Sequence, residues 1–199
     1  MTDAILNWRR FLKRRNCAPN TVKNYLNMIK HFVIWVDVPM EEVTYATVSR
    51  YVDYLMKKRR APKTINCHLD GIRQFYHYLK EEEGMAIINP IRKNHMQKMS
   101  RPLPRHLRDE QAKKFLGAVN GLRDRAMFML MLRCGLRVEE VANLAIGAID
   151  VNRRTILVED GKGAKDRIVY MSNDALHALA AYLRVRPASR ARKIFLVEK

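Results

Sequence analysis

The sequence predicts a mainly α protein of two domains: a compact four-helix N-terminal domain, followed by the first part of an α+β domain that carries a β-hairpin. Three observations lead there. A helix-start pattern with one-faced apolar spacing occurs twice in the first half, an unbroken apolar run marks a buried helix in the second half, and two β-branched runs flank a glycine-rich turn.

The duplication organises residues 1–83. Ala18-Pro19-Asn20-Thr21-Val22 returns as Ala61-Pro62-Lys63-Thr64-Ile65, and the echo continues from Leu26, Ile29 and Phe32 to Leu69, Ile72 and Phe75, always 43 residues on. Proline near the first helical position is preorganised for a helix start. The apolar positions that follow keep the i, i+4, i+7 spacing of a helix buried on one face. Two units are too few for a solenoid, so they are read as two helical hairpins packed together. A first helix over Asp3–Arg15 turns Ile5, Trp8, Phe11 and Leu12 inward, and another near Tyr45–Lys58 ends in Lys57-Lys58-Arg59-Arg60.

Residues 84–108 read as a linker, broken by Asn89-Pro90, Pro102 and Pro104. They contain no acid but carry Arg92, Lys93, Lys98, Arg101, Arg105 and Arg108. A purely basic linker suits a strap along a polyanion.

Residues 109–199 then give a short helix, Asp109–Val119, and the apolar helix Arg123–Leu132. Gly135 stands where a helix C-terminal cap is expected. A further amphipathic helix places Val138, Val141 and Leu144 on one face, with Arg137 at its start. Free N–H groups at a helix start favour an anion, and a guanidinium there can hold two phosphate oxygens. An exposed arginine paired locally with Glu140 fits the same residues equally well. The strands Arg154–Val158 and Arg167–Met171 come next, and a helix over Asn173–Arg184 follows them. Between the strands, Gly161 and Gly163 flank Lys162 and leave the turn sterically open. A lysine desolvated near other cations has a lowered pKa and can donate a proton. A turn lysine without a task fits a lone Gly-Lys-Gly as well. The turn is no P-loop, because Ile156 stands five residues before Gly161 and neither Ser nor Thr follows Lys162.

Charge bounds the function. There are 38 Lys and Arg against 20 Asp and Glu, a formal +18, and residues 1–99 hold 18 of those cations and 9 of those acids. Both halves are therefore basic, which excludes a basic tail on a neutral domain and raises affinity for a polyanion, most commonly nucleic acid. A solvated helix face accounts for any single cation. As a set, Lys57, Lys58, Arg59, Arg60, Lys63, Arg92, Lys93, Arg101 and Lys165 fit phosphate contacts better. No CxxC pair or metal-ligand cluster occurs, so neither a metal nor another cofactor is expected. Three cysteines, no signal-peptide core and no apolar run of membrane-spanning length predict a cytoplasmic, DNA-associated protein with no membrane partner.

The ordered motifs Gly-Leu-Arg-Val-Glu-Glu-Val at 135–141 and Gly-Lys-Gly-Ala-Lys-Asp-Arg at 161–167 resemble those of the tyrosine recombinase (phage integrase, Xer-type) family. Residues 1–83 resemble that family's helical, SAM-like core-binding domain, and the resemblance extends over nearly the whole chain. It implies that Arg137 is the arginine that stabilises the scissile phosphate, that Glu140 buttresses it, and that Lys162 is the general acid toward the 5′ leaving oxygen. Lys165 and Arg167 fit phosphate contact or support. It also implies a partial catalytic domain. The family's His-x-x-Arg motif has no counterpart, since none of His31, His68, His77, His95, His106 and His177 has Arg three residues later. Tyr182 and Tyr170 read as a helix-packing and a strand residue rather than as the nucleophile. The expectation is thus a site-specific recombinase or integrase that binds double-stranded DNA, self-associates or joins a full-length recombinase there, and is inactive as these 199 residues alone. With the closing helices missing, apolar surface around Met127–Leu132 and Leu176–Leu183 should stay exposed. A noncatalytic relative competing with a full-length recombinase is the alternative. An unrelated RNA-binding protein fits less well, because RNP, KH and glycine-arginine signatures are absent.

Overall fold

A computed structural model describes residues 2–100, 102–103, 105–161 and 165–196. Arg101 and Lys162 lie outside the described residues, and only the backbone of Lys165 is described. The chain divides into two compact units, Met1–Leu103 and Pro104–Lys199.

The first unit is built on α1 (Thr2–Arg14), α2 (Pro19–Val36), α3 (Tyr45–Lys57) and α4 (Pro62–Glu81). Prolines occupy the first helical positions of α2 and α4, and Thr44 caps α3 by accepting from the Thr47 N–H at 3.2 Å. The repeated positions form the core. Ile29 and Ile72, and Phe32 and Phe75, are all fully buried, as are Trp8 and Tyr51. Burial of each such side chain contributes about 1.5–3 kcal/mol. Helices α2 and α4 pack closely where Gly71 faces Met28. Met28 is the repeat equivalent of Gly71, so the two repeat helices meet at equivalent positions.

The segment after α4 stays on this unit up to residue 97. Ile87 and Ile91 pack on the core, and Asn66 binds the backbone of Gln97 in both directions, donating to its carbonyl at 2.9 Å and accepting from its N–H at 2.7 Å. Periodicity gave no sign of this docking, because single apolar residues in an irregular segment carry no period.

The second unit contains α5 (Asp109–Gly117), α6 (Leu122–Cys134), α7 (Val138–Asn143) and α8 (Asn173–Val185), with an antiparallel sheet of order β1 (Ile149–Asp150), β2 (Thr155–Gly161) and β3 (Lys165–Tyr170). The two-residue β1 was not expected from the sequence. Gly135 does close α6, in the left-handed conformation at φ 67°. The α6 run is buried on one side, with Ala126 and Leu130 fully enclosed, while Leu132 is 44% exposed within the stretch expected to keep apolar surface open. Helix α7 is shorter than its pattern predicts, because Leu144 already leaves the helical conformation. Val141 and Leu144 are buried, whereas Val138, at the first helical position, is 69% exposed. Near residue 194 the chain returns to the sheet side. The Ile194 N–H donates to the Leu144 carbonyl at 2.8 Å, and the Arg186 guanidinium binds the carbonyls of Lys193 and Ile194, each at 2.8 Å.

A Cβ built on Gly71 would sit 3.0 Å from Met28 Cβ. Gly71→Leu should therefore destabilise the first unit by about 1–3 kcal/mol through overpacking. A thermal melt of that unit checks this, and an unchanged Tm would contradict the close α2–α4 approach.

Candidate nucleic-acid interface

The centre of the second unit's charged site is a carboxylate. Glu140 is the third residue of α7, and its side chain is only 10% exposed. Its Oε2 accepts from the Arg137 backbone N–H at 2.8 Å and from Arg167 Nη2 at 2.7 Å. Its Oε1 accepts from Arg137 Nη1 at 2.7 Å and from Arg167 Nη1 at 2.8 Å. An ionised carboxylate has about four acceptor positions, and here each oxygen takes two donors. The Arg167 fork, aided by the Arg137 backbone and side chain, outweighs partial burial and holds the Glu140 carboxyl down at about 2. In return Glu140 raises the pKa of Arg167.

Local structure brings the three residues together. Gly135 turns the chain out of α6, which makes Arg137 the residue that precedes α7, and the i to i+3 spacing lets Glu140 reach back to it. Arg167 arrives from β3, paired with Val158 of β2. The sequence reading relied on free N–H groups at the α7 start to favour an anion. The structure shows the Arg137 N–H already bound to Glu140, and a helix of six residues adds little dipole. What Arg137 offers a ligand is its guanidinium, with a side chain 57% exposed.

The candidate tyrosines lie elsewhere. Tyr182 is 4% exposed, stacks on Phe195 at 5.3 Å and donates to the Ile194 carbonyl at 3.3 Å. Tyr170 is 75% exposed, but three residues from Arg167 on one strand it points to the opposite face of the sheet.

In the first unit Lys57, Lys58, Arg59, Arg60 and Lys63 are exposed in and beside the turn between α3 and α4. Arg59 takes the left-handed conformation there, at φ 55°. Arg92 and Lys93, also exposed, do not join that cluster. The Arg92 guanidinium lies 4.9 Å over the ring of Tyr45, at the opposite end of α3, about 18 Å along the helix axis from Lys57. His95 supports this second patch from inside. It is 4% exposed, packs tilted against Tyr45 with ring centroids 4.2 Å apart, accepts from the Arg92 N–H at Nδ1 (3.1 Å) and lies 3.3 Å from Ser49 Oγ through Nε2. Burial lowers its pKa. Sequence reasoning missed Tyr45 and His95, since neither belongs to a basic cluster or a repeat. Among the described residues no group of three or more His, Cys, Asp or Glu is placed to hold a metal ion, and no helix is long and apolar enough to cross a membrane.

The Phage integrase family model matches residues 105–199, and the model for that family's N-terminal SAM-like domain matches residues 5–84. The chain belongs to the tyrosine recombinase (phage integrase) family, and is Xer-like. Tyrosine recombinase XerC of Halalkalibacterium halodurans is 32% identical over 178 residues, covering 85% of this chain and 58% of that protein. Tyrosine recombinase XerA of Thermococcus onnurineus is 27% identical, covering 94% of this chain and 63% of that protein. The chain thus spans less than two thirds of the length of these curated relatives. In structure it is similar to a lambda integrase dimer bound to a COC′ core site (TM-score 0.74, 15% identity, 97% of this chain and 74% of that one). It is also similar to the Tn1549 transposon integrase in complex with transposon right end DNA (TM-score 0.73, 15% identity, 98% and 71%). At these identities the likeness shows a common fold: a SAM-like helical unit followed by the mixed helix-and-sheet integrase unit.

The Glu140 carboxyl sits below its ordinary 4.5, so its contribution to stability is complete above about pH 4.5 and is lost as pH falls toward 2. Glu140→Gln should lower the second unit's stability by about 1–3 kcal/mol at pH 7, with the difference from wild type shrinking below pH 4. Paired thermal melts between pH 6 and pH 2.5 check this, and a constant difference across that range would contradict an ionised Glu140.

Proposed function

We propose that this protein binds double-stranded DNA through both units and that Arg137 holds a DNA phosphate, as part of a site-specific recombinase or integrase of the tyrosine type. One observation carries this reading: Arg137 is anchored on one side by Glu140 and presents the rest of its guanidinium to solvent, in a chain of formal charge +18. A fixed, half-exposed guanidinium can share two donors with phosphate oxygens and stabilise negative charge as it builds there. Lys162, five residues before Arg167, is assigned as general acid by its place in the Gly-Lys-Gly motif. The basic turn Lys57–Lys63 and the Arg92–Tyr45 stack form two separate backbone contacts, while Lys165 and Arg101 add charge to the hairpin and to the segment before α5. The DNA complexes of the lambda and Tn1549 integrases support the choice of duplex DNA. No metal or other cofactor is required by this chemistry, and the protein works where the chromosome is, in the cytoplasm, with further copies or a full-length recombinase on the same DNA.

Residues 1–199 supply the phosphate-holding and acid groups of such a site but not the attacking one. Tyr182 is buried and Tyr170 faces away from Arg167, so strand cleavage needs a nucleophile from outside these residues.

Binding of a 30-bp duplex should weaken steeply between 50 and 200 mM salt, by about tenfold or more, as several phosphate contacts release counterions. Arg137→Ala should weaken it further and reduce the salt slope by about 1. Gel-shift titrations check both, and equal affinity for duplex DNA and single-stranded RNA would overturn the reading. Incubation of residues 1–199 with a nicked suicide substrate should leave no covalent adduct on a denaturing gel.

A further inference from the structure

We infer that Arg167 is a positioning residue for the phosphate site, acting on Arg137 through Glu140 rather than touching DNA itself; this rests on the proposed role of Arg137. The geometry carries it. Both terminal nitrogens of Arg167 are engaged on the two oxygens of Glu140, at 2.8 and 2.7 Å, and its side chain is 33% exposed against 57% for Arg137. One forked edge of its guanidinium is therefore already occupied by the carboxylate.

Its effect on Arg137 follows from the number of acceptor positions. Glu140 has about four, and Arg167 fills two, one on each oxygen. Only one position then remains for the Arg137 side chain, since the other is taken by the Arg137 backbone N–H. Arg137 is thereby held by a single nitrogen and keeps its other donors for a ligand. Without the Arg167 fork the carboxylate is free to take the Arg137 guanidinium with both oxygens, and it then competes with the phosphate. The charge changes in the same direction. Two arginines on one carboxylate leave the site net positive, whereas one arginine leaves it neutral and less attractive to an anion.

The contact also joins two elements that the sequence separates by 27 residues. Glu140 sits on α7 and Arg167 on β3, two residues into the strand that starts at Lys165. Through this pair the hairpin strand and the Arg137 guanidinium are held in one arrangement before any DNA binds, which is the condition for a preorganised electrostatic site.

Lysine at position 167 separates this role from direct contact, because it keeps the charge but not the fork. Affinities for a 30-bp duplex at 50 mM salt would be measured for wild type, Arg137→Ala, Arg167→Lys and the double variant, with thermal melts to establish folding. Arg167→Lys should weaken binding about as much as Arg137→Ala, roughly three- to tenfold, and the double variant should be no weaker than Arg137→Ala within about twofold. Wild-type affinity in Arg167→Lys, or losses that multiply in the double variant, would overturn the inference while leaving the role of Arg137 intact. An Arg137→Ala variant that binds like wild type would instead overturn the proposed function. Should Arg167→Lys fail to fold, the unaltered protein gives the answer by NMR of its guanidinium groups. Added duplex should perturb the Arg137 signals strongly and those of Arg167 only weakly, and the reverse pattern would overturn the inference.

Discussion

A single carboxylate with no acceptor position to spare sets up the charged face of the second unit. Glu140 takes four hydrogen bonds from two arginines and a backbone N–H, and it stays ionised because those donors outweigh its partial burial. Removing one partner from such a group costs more than the pair is worth, because the remaining charges are left uncompensated. The arrangement therefore behaves as a unit. It orders the start of a six-residue helix that has little intrinsic stability, and it ties that helix to a strand of the hairpin.

The first unit is held together differently. Its two repeat helices bury equivalent isoleucines and phenylalanines, and they come close because a glycine stands at one of the two equivalent contact positions. The cations of the turn between α3 and α4 stay exposed outside that core, where the packed helices fix their separation. The Arg92 patch is rigid for another reason: a buried histidine and an exposed tyrosine pack against one another beneath it. A flexible basic strap would give a polyanion the same charge but would lose more entropy on binding.

Helix starts, the α6 cap and the pairing of the hairpin were legible in the sequence because each depends on neighbours a few residues away. Pro19, Pro62 and Gly135 act through their own backbones, and the alternating runs around Gly161 pair locally. Val138 shows the limit of periodicity. It falls on the apolar face by spacing, but at the first turn of a short helix that face has nothing opposite it, and the side chain is exposed. The docking of residues 85–97 and the two-residue β1 were illegible for a similar reason, since both depend on partners distant in the chain.

By itself the sequence determined the two-part organisation, the duplicated helices, the even basic charge and the candidacy of Arg137 and Glu140, because those properties reside in composition, local backbone preference and short spacing. Tertiary structure alone decided that Arg167 joins the same carboxylate, that Tyr45 and His95 pack beneath Arg92, and that the α3–α4 turn cations and Arg92 lie at opposite ends of α3. Each of these turns on where a side chain points once distant segments have packed, and residue spacing along the chain does not encode that direction.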